Sequence, residues 1–424
     1  MYKRIINKTK YVQDKALVVG VDISKEHLDA YGCGNGQEMK TFRITNDYKG
    51  LTTMWANIKI YQVRYGCDRI IIGFESTGHY SEPLKNFMSD KGVKLVQVNP
   101  MHTKRIKNLN DNSPGSTDQK DPKIIVDIIR LGHYLSLVTP IGPSAELRSL
   151  TYARESLLQE NIRLRNRLES LVFRIFPEFI QVLKSLSGKT ARYLLKHYPT
   201  AEQIMALPLE RLTKKIKKMS RGQLGRDLAE RLKQASATSL GTKEGRNGIL
   251  FEIAYILEQI DWIGIRVKQL EGKMGKEIEK IPYAQKLLAI KGIGVVILGG
   301  LLGEVGDFRD YRKQSELVKL AGLDIYEISS GKYRGQRHIS KCGRWLLRKL
   351  LYFASLNLVR CPGDMREYYQ RLVGRNMAKT KALIAVSRKL LRTMFAMVRD
   401  GTEYHLQNQN VKEVIKEKEI KVPA

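Results

Sequence analysis

Four carboxylates stand where strands and helices could bring them together. The apolar run ALVVGVD ends on Asp22, and the run RIIIGFE ends on Glu75. Asp118 and Asp121 are three apart in TDQKDP, a spacing that puts both on one face of a helix. A charged group at the end of a buried strand is costly unless something binds it. Phosphodiester chemistry uses such a cluster, because hard carboxylate oxygens hold Mg²⁺, which neutralises developing charge and positions the nucleophile. In two-metal sites, shared carboxylates bridge ions roughly 3.5–4 Å apart. Each acid also has an ordinary reading. Asp22 could cap a turn, Glu75 could pair with an arginine, and Asp118 could be the N-cap of its helix with Asp121 in the first turn.

A second group with chemical potential is the pair Ser329-Ser330 ahead of Gly331, followed by Lys332, Arg334, Arg337 and Lys341. A serine hydroxyl is a weak nucleophile unless a base removes its proton or positive charge stabilises the phosphorane-like state it creates. The four cations could do the second. Apart from His338 no histidine–acid pair stands nearby, and by itself Ser-Ser-Gly reads as a turn. Ser340 is expected to cap the helix that follows. In Leu287–Leu302 two apolar helical stretches are joined by Lys291-Gly292-Ile293-Gly294, a pattern similar to a helix-hairpin-helix, whose glycine turn lets backbone N–H groups approach a phosphate. An ordinary helical hairpin is the alternative. From Gly331 to Arg399, 17 Lys and Arg, Arg344 among them, stand against only Asp364 and Glu367, which is too one-sided for a merely solvated surface.

The elements that must position these groups follow from the apolar pattern. Strands are expected at 16–22, near 28–31 and 39–44, at 69–75 and at 94–98, with helices at 46–60, 80–90 and 116–132. Strands alternating with helices indicate an α/β sheet domain over 1–140. After the Pro140–Pro143 linker, Leu147, Leu150, Leu157, Leu164, Leu168, Leu171 and Ile175 take heptad positions, interrupted by Arg154 and Asn161. A second heptad helix over 250–278 carries Ile253, Leu257, Ile260, Val267, Met274 and Ile278. The two could pair as an antiparallel hairpin, and the seam could equally serve a self-associating coiled coil. The middle region, 141–280, therefore reads as coiled-coil arms with a basic helical insert at 177–245. In that insert Lys214, Lys215, Lys217 and Lys218 either hold RNA phosphates or form a solvated face. A mainly helical domain at 281–405 and a charged tail at 406–424 complete the chain.

With 74 Lys and Arg against 43 Asp and Glu, the formal net charge of the 424 residues is +31, which points to a polyanionic partner, nucleic acid first. No run of 18 apolar residues and no export signal is present, so a cytoplasmic, nucleoid-associated protein with no membrane partner is expected. The cysteines, Cys33, Cys67, Cys342 and Cys361, stand singly and suggest neither a disulfide framework nor a zinc knuckle.

The order GVDISKEHLD (20–29), FESTGHYSEPL (74–84), NP (99–100) and TDQKDP (117–122) resembles the RuvC-like DEDD domain of insertion-sequence 110 transposases. Residues 321–354, AGLDIYEISSGKYRGQRHISKCGRWLLRKLLYFA, resemble the transposase domain that this family carries at its C-terminus. The resemblance implies an RNase H-like fold for the first domain and a Mg²⁺ pocket of Asp22, Glu75, Asp118 and Asp121. It implies a nucleophilic serine immediately before a glycine, hence Ser330, with Ser329 as the alternative. It further implies a covalent phosphoserine intermediate, a site assembled from different subunits of a dimer or tetramer, and a noncoding guide RNA that specifies donor and target DNA. Two positions depart from the family pattern. Pro122 replaces the usual alanine, and proline suits a first helical turn; Ile325 replaces the usual proline after AGL-x. Two rival readings remain: a metal-dependent nuclease such as a junction resolvase, with water as nucleophile, and a non-catalytic nucleic-acid scaffold.

Overall fold

The computed structural model describes residues 9–12, 15–75, 78–110, 121–136, 140–327, 329–330 and 333–404. Asp118, Gly331 and Lys332 lie outside these, as do residues 116–120 of the helix expected over 116–132. The chain divides into two compact units at Val138/Thr139.

In the first unit a seven-stranded sheet is built around β1 (Ala16–Ile23). On one side β1 pairs antiparallel with β2 (His27–Gly34), which in turn pairs with β3 (Gln37–Glu38) and β4 (Phe42–Thr45). On the other side it runs parallel to β5 (Arg69–Glu75), and β5 runs parallel to β6 (Lys94–Val98). The central strands are apolar on both faces because both are covered. Leu17, Val19 and Val21 pack with Met54 and Ile58 of α1 (Tyr48–Arg64) and with Leu84 and Met88 of α2 (Glu82–Met88). Val18 and Ile71 pack on the opposite face. There they meet Ile124, Ile125, Ile128 and Ile129 of a helix, α4 (Asp121–Arg130), which follows α3 (Pro100–Asn110). Helix α1 starts at 48 rather than 46 because Asp47 caps it, accepting from Gly50 N–H at 2.8 Å. A two-residue edge strand, β7 (Leu135–Ser136), pairs with β6 and is too short to leave a sequence pattern.

In the second unit α5 (Pro143–Ile175) and α11 (Arg246–Glu279) lie antiparallel, as the pairs Arg154–Glu271 at 2.9 Å and Arg167–Glu252 at 2.5 Å require. The heptad seam is filled within the chain: Leu164, Leu168, Leu171 and Ile175 share one core with Ile253, Leu257 and Ile260. Of the two readings of that seam, packing against the protein's own chain is the one observed, and Arg154, an interruption in the pattern, is met by Glu271. The basic insert is five short helices, α6 (Pro177–Val182), α7 (Lys189–His197), α8 (Ala201–Ala206), α9 (Leu209–Ser220) and α10 (Arg226–Ala237). They share that core through Phe179, Leu194, Ile204, Ile216 and Leu232.

The remaining helices are α12 (Ala284–Leu288), α13 (Val295–Val305), α14 (Gln314–Leu320), α15 (Trp345–Leu358), α16 (Asp364–Gly374) and α17 (Lys379–Asp400). α13 is the hub. Its Gly299 lies against Met274 and Leu147, and a Cβ on Gly303 would come within 2.6 Å of the Arg148 backbone nitrogen. Gly303→Ala is therefore expected to destabilise the second unit by about 1–3 kcal/mol through overpacking, read as a lower urea midpoint. An unchanged midpoint would contradict the close approach. Among the described residues no helix is long and apolar enough to cross a membrane.

Candidate active site

The alternation of a strand decides which acids can meet. Odd-numbered residues of β1 point to α1 and α2, even-numbered ones to α4, so Asp22 is on the α4 face. On β5, Ile71 marks the same face, as does Gly73, where a Cβ would lie 2.2 Å from Ile129 Cδ1. Glu75, two residues on, shares it. Val21 pairs with Phe74, which puts Asp22 and Glu75 side by side at the carboxyl ends of two parallel strands. α4 brings its N-terminus over this spot. A Cβ on Gly20 would lie 2.2 Å from the Pro122 carbonyl, so glycine at 20 lets the first turn of α4, which begins at Asp121, approach β1 this closely. Pro122 is buried in the first turn of α4, where its missing N–H leaves nothing unsatisfied. Asp121, the first helical residue, is at the end of the helix that favours negative charge.

One acid at this edge was not singled out from the sequence. Asp29 of β2 is the direct cross-strand partner of Asp22, is buried, and receives Arg43 in a two-pronged ion pair at 3.0 and 2.8 Å. Arg43 neutralises that carboxylate, whereas Asp22 accepts the Ile23 backbone N–H at 3.0 Å. No local sequence pattern marks it, since its place follows from its pairing with Asp22 on β1 and with Arg43 on β4. The donor set is all carboxylate oxygen, which fits a hard divalent cation. Among the described residues no three metal-ligating side chains are already gathered into a metal-holding group, and Asp118 is outside them.

The serines stand on two nested antiparallel pairs. β8 (Ile325–Tyr326) pairs with β11 (His338–Ile339), and farther out β9 (Ser329–Ser330) pairs with β10 (Tyr333–Arg334). Ser330 faces Tyr333 across the ladder, and both serines are exposed. Ile325 occupies a paired position opposite Ile339. Arg337 is engaged by Glu327 at 2.8 Å, and Lys381 of α17 reaches Gln336 at 3.5 Å.

Residues 19–177 match a family model of DEDD type described as a transposase, and residues 284–370 match one described as "Transposase IS116/IS110/IS902 family". The two together span more than half of the chain and contain every described candidate acid and Ser330. The chain belongs to the IS110 transposase family. It is 26% identical over 401 residues to the "Insertion element IS110 uncharacterized 43.6 kDa protein" of Streptomyces coelicolor, covering 92% of this chain and 96% of that one. It is 24% identical over 385 residues to the "Insertion element IS116 uncharacterized 44.8 kDa protein" of Streptomyces clavuligerus, covering 90% and 94%. A "Probable family 20 transposase" of Pseudomonas aeruginosa is 26% identical over 151 residues, covering 35% and 44%.

In this transposase the glycine turn lies between a five-residue helix and a longer one. α12 and α13 flank it, Ile290 and Ile293 are buried, Lys291 is exposed, Gly292 adopts φ +102°, and Gly294 is the N-cap of α13 with no side chain over the first-turn N–H groups. Two expectations are corrected. Ser340 is not an N-cap; α15 begins at Trp345 with Arg344 in the cap position. The reason is a backbone crossing, since Gly343 passes so near Gly322 that a Cβ would lie 2.4 Å from Gly322 N, and Arg344 N–H is held by Leu320 O at 2.7 Å. Arg344 also turns inward rather than to a phosphate. Its guanidinium donates to the Glu304 carbonyl and lies 4.0 Å from the buried Glu304 carboxylate, which Arg148 approaches to 3.9 Å. Burial, with Arg148 alongside, holds its pKa below the usual arginine value. Lys341 is exposed with φ +54° and stays available to an anion. Arg375, Lys379 and Lys381, all exposed around the α16–α17 connection, extend the basic surface and were legible only as members of a charge excess.

Proposed function

We propose that this transposase excises and inserts its own element by serine-based strand exchange assisted by a Mg²⁺ pocket, with an element-encoded RNA choosing donor and target DNA. The observation that carries the reading is the neighbouring strand ends of Asp22 and Glu75, with the first turn of α4, where Asp121 starts the helix, packed close to β1 at Gly20. RNase H-like topology accounts for it: an antiparallel meander continued by parallel strands, with the acids at the strand ends. Asp22, Glu75, Asp121 and Asp118 would hold the metal, which supplies positive charge to a phosphodiester under attack. Ser330 Oγ forms a bond to phosphorus as the phosphorus–oxygen bond to one deoxyribose breaks, and the proton lost by the serine hydroxyl ends on the departing deoxyribose oxygen. Lys332, Arg334 and Lys341 offset the charge that develops. The phosphoserine keeps the bond energy, so a hydroxyl of a second strand can displace the serine without ATP. Backbone N–H groups at Gly292 and Gly294, with Lys291, would hold a DNA phosphate.

The test is expression with the native element and its flanks, followed by a search for a protein–DNA adduct that protease releases. An adduct that forms only with divalent metal supports the reading. Free ends with no adduct point to the rival metal nuclease, which the absence of a histidine–acid pair beside Ser330, among the described residues, favours.

On the insert, Lys215 leans on Tyr193 at 3.2 Å, whereas Lys214, Lys217 and Lys218 of α9 are exposed. If these three bind guide RNA, replacing them with alanine lowers the salt slope of log affinity by about 2, at roughly 0.7 per single-strand phosphate contact. A binding titration across salt concentrations reads this directly, and an unchanged slope removes α9 from the interface.

A further inference from the structure

Helix α17 carries a cation with which no described acid forms an ion pair. Arg388 is half-buried, and its Nε is enclosed without a hydrogen-bond partner. The carboxylate in its electrostatic reach, Asp324, is approached instead by Lys319 of α14 at 3.9 Å. Arg392, one turn further along the same face of α17, is exposed and likewise has no ion pair among the described residues. Burial holds the Arg388 pKa below the usual arginine value, and the charge of Arg392 lowers it further. A half-buried charge is costly unless paired, and like charges four residues apart on a helix repel. Two such costs at one place point to an anion that the folded chain does not itself supply. Beside them Lys389 lies 4.8 Å from the Tyr368 ring of α16 and adds to the positive charge.

The surroundings say which anion. Asp324 immediately precedes β8, and its carbonyl accepts from Ser340 N–H at 2.8 Å across the base of the serine hairpin. Lys381, seven residues before Arg388 and so on the same face of α17, reaches Gln336 in the returning arm of that hairpin. The row Lys381, Arg388, Arg392 therefore runs beside the stalk that bears Ser330. Six residues of chain from Asp324 to Ser330 limit that distance to about 20 Å. Each strand of a DNA duplex carries a phosphate about every 3.4 Å along its axis. We propose that Arg388 and Arg392 together hold one phosphate of the DNA, within about six nucleotides of the one that Ser330 attacks, and so position the strand on the serine hairpin. This rests on the reading that the serine domain acts on DNA. A guanidinium offers paired N–H donors that match two phosphate oxygens, and one phosphate between two guanidiniums offsets their mutual repulsion.

The test is binding of a fluorescent duplex carrying the element's end, titrated across salt concentrations, with a single-stranded RNA of equal length as the second probe. Arg388→Met keeps the aliphatic stem in its packing and removes the charge, and Arg392→Gln removes that of its neighbour. The double variant is expected to bind the duplex about tenfold more weakly or worse, and to lose about 0.9 from the salt slope of log affinity, the share of one phosphate. Urea unfolding adds a readout that a merely structural arginine would move the other way. Removing an unpaired half-buried cation leaves the midpoint of Arg388→Met unchanged or higher, whereas loss of a native partner of Asp324 would lower it. An unchanged slope on the duplex, an effect confined to the RNA, or a lowered midpoint in Arg388→Met would each overturn the proposal. The adduct assay keeps this apart from the proposed function. A slope lost in a chain that never forms the adduct leaves the phosphate site standing without serine chemistry, and a normal adduct with an unchanged slope removes the phosphate site alone.

Discussion

Alanine at position 330 is expected to abolish the protease-sensitive DNA adduct, and alanine at 329 to preserve it. The ladder makes this pair of variants decisive. Adjacent strand residues point to opposite faces, so a phosphate seated against one hydroxyl is out of reach of the other. Both side chains are exposed, and neither substitution opens a cavity, so stability should stay within about 0.5 kcal/mol. Loss of the proposed nucleophile should reduce strand exchange by at least about 10⁴-fold, as for a group that acts only in the reaction itself. Loss of the adduct in Ser329→Ala with retention in Ser330→Ala would move the nucleophile one residue. Cleavage indifferent to both would return the water-based nuclease.

The second large effect is at the sheet edge. Asp22→Ala should remove detectable metal-dependent cleavage, a fall of about 10³-fold or more, because the proposed pocket loses the carboxylate beside Glu75. Gly20→Ala should reproduce much of that loss while keeping every acid. Its methyl would lie 2.2 Å from the Pro122 carbonyl, so the α4 N-terminus must lift and carry Asp121 away. A displacement near 1 Å costs on the order of 100-fold when groups must be aligned. Cleavage rates at saturating metal test both. Full activity in Gly20→Ala would show that Asp121 does not need its observed place.

The strand-end acids were legible because buried parallel strands are written as unbroken β-branched runs, and an acid closing such a run stands out. Asp29 was not, since its meaning comes from pairing with Asp22 and Arg43 on other strands, a register no local pattern records. The heptads of α5 and α11 announced a seam but not its partner. Core-filling by the same chain and by a second chain use the same spacing, and only the fold shows that the inner face is taken. Ser340 looked like a cap because serine before a helical run usually is one; the Gly322–Gly343 crossing that delays the helix joins residues 21 apart in sequence. Arg344 read as one more surface cation, with nothing local to reveal that Glu304, forty residues earlier, is buried beside it.

Glu304 has a mechanical consequence. One side of its carboxylate faces Arg148 in the first turns of α5, the other faces Arg344, which closes the base of the serine hairpin. A long arm and a short stalk bearing two hydroxyls thereby meet at one buried carboxylate. Whatever the far end of the arm grips sets the bearing of the stalk, as a compass needle and its counterweight turn on one pin.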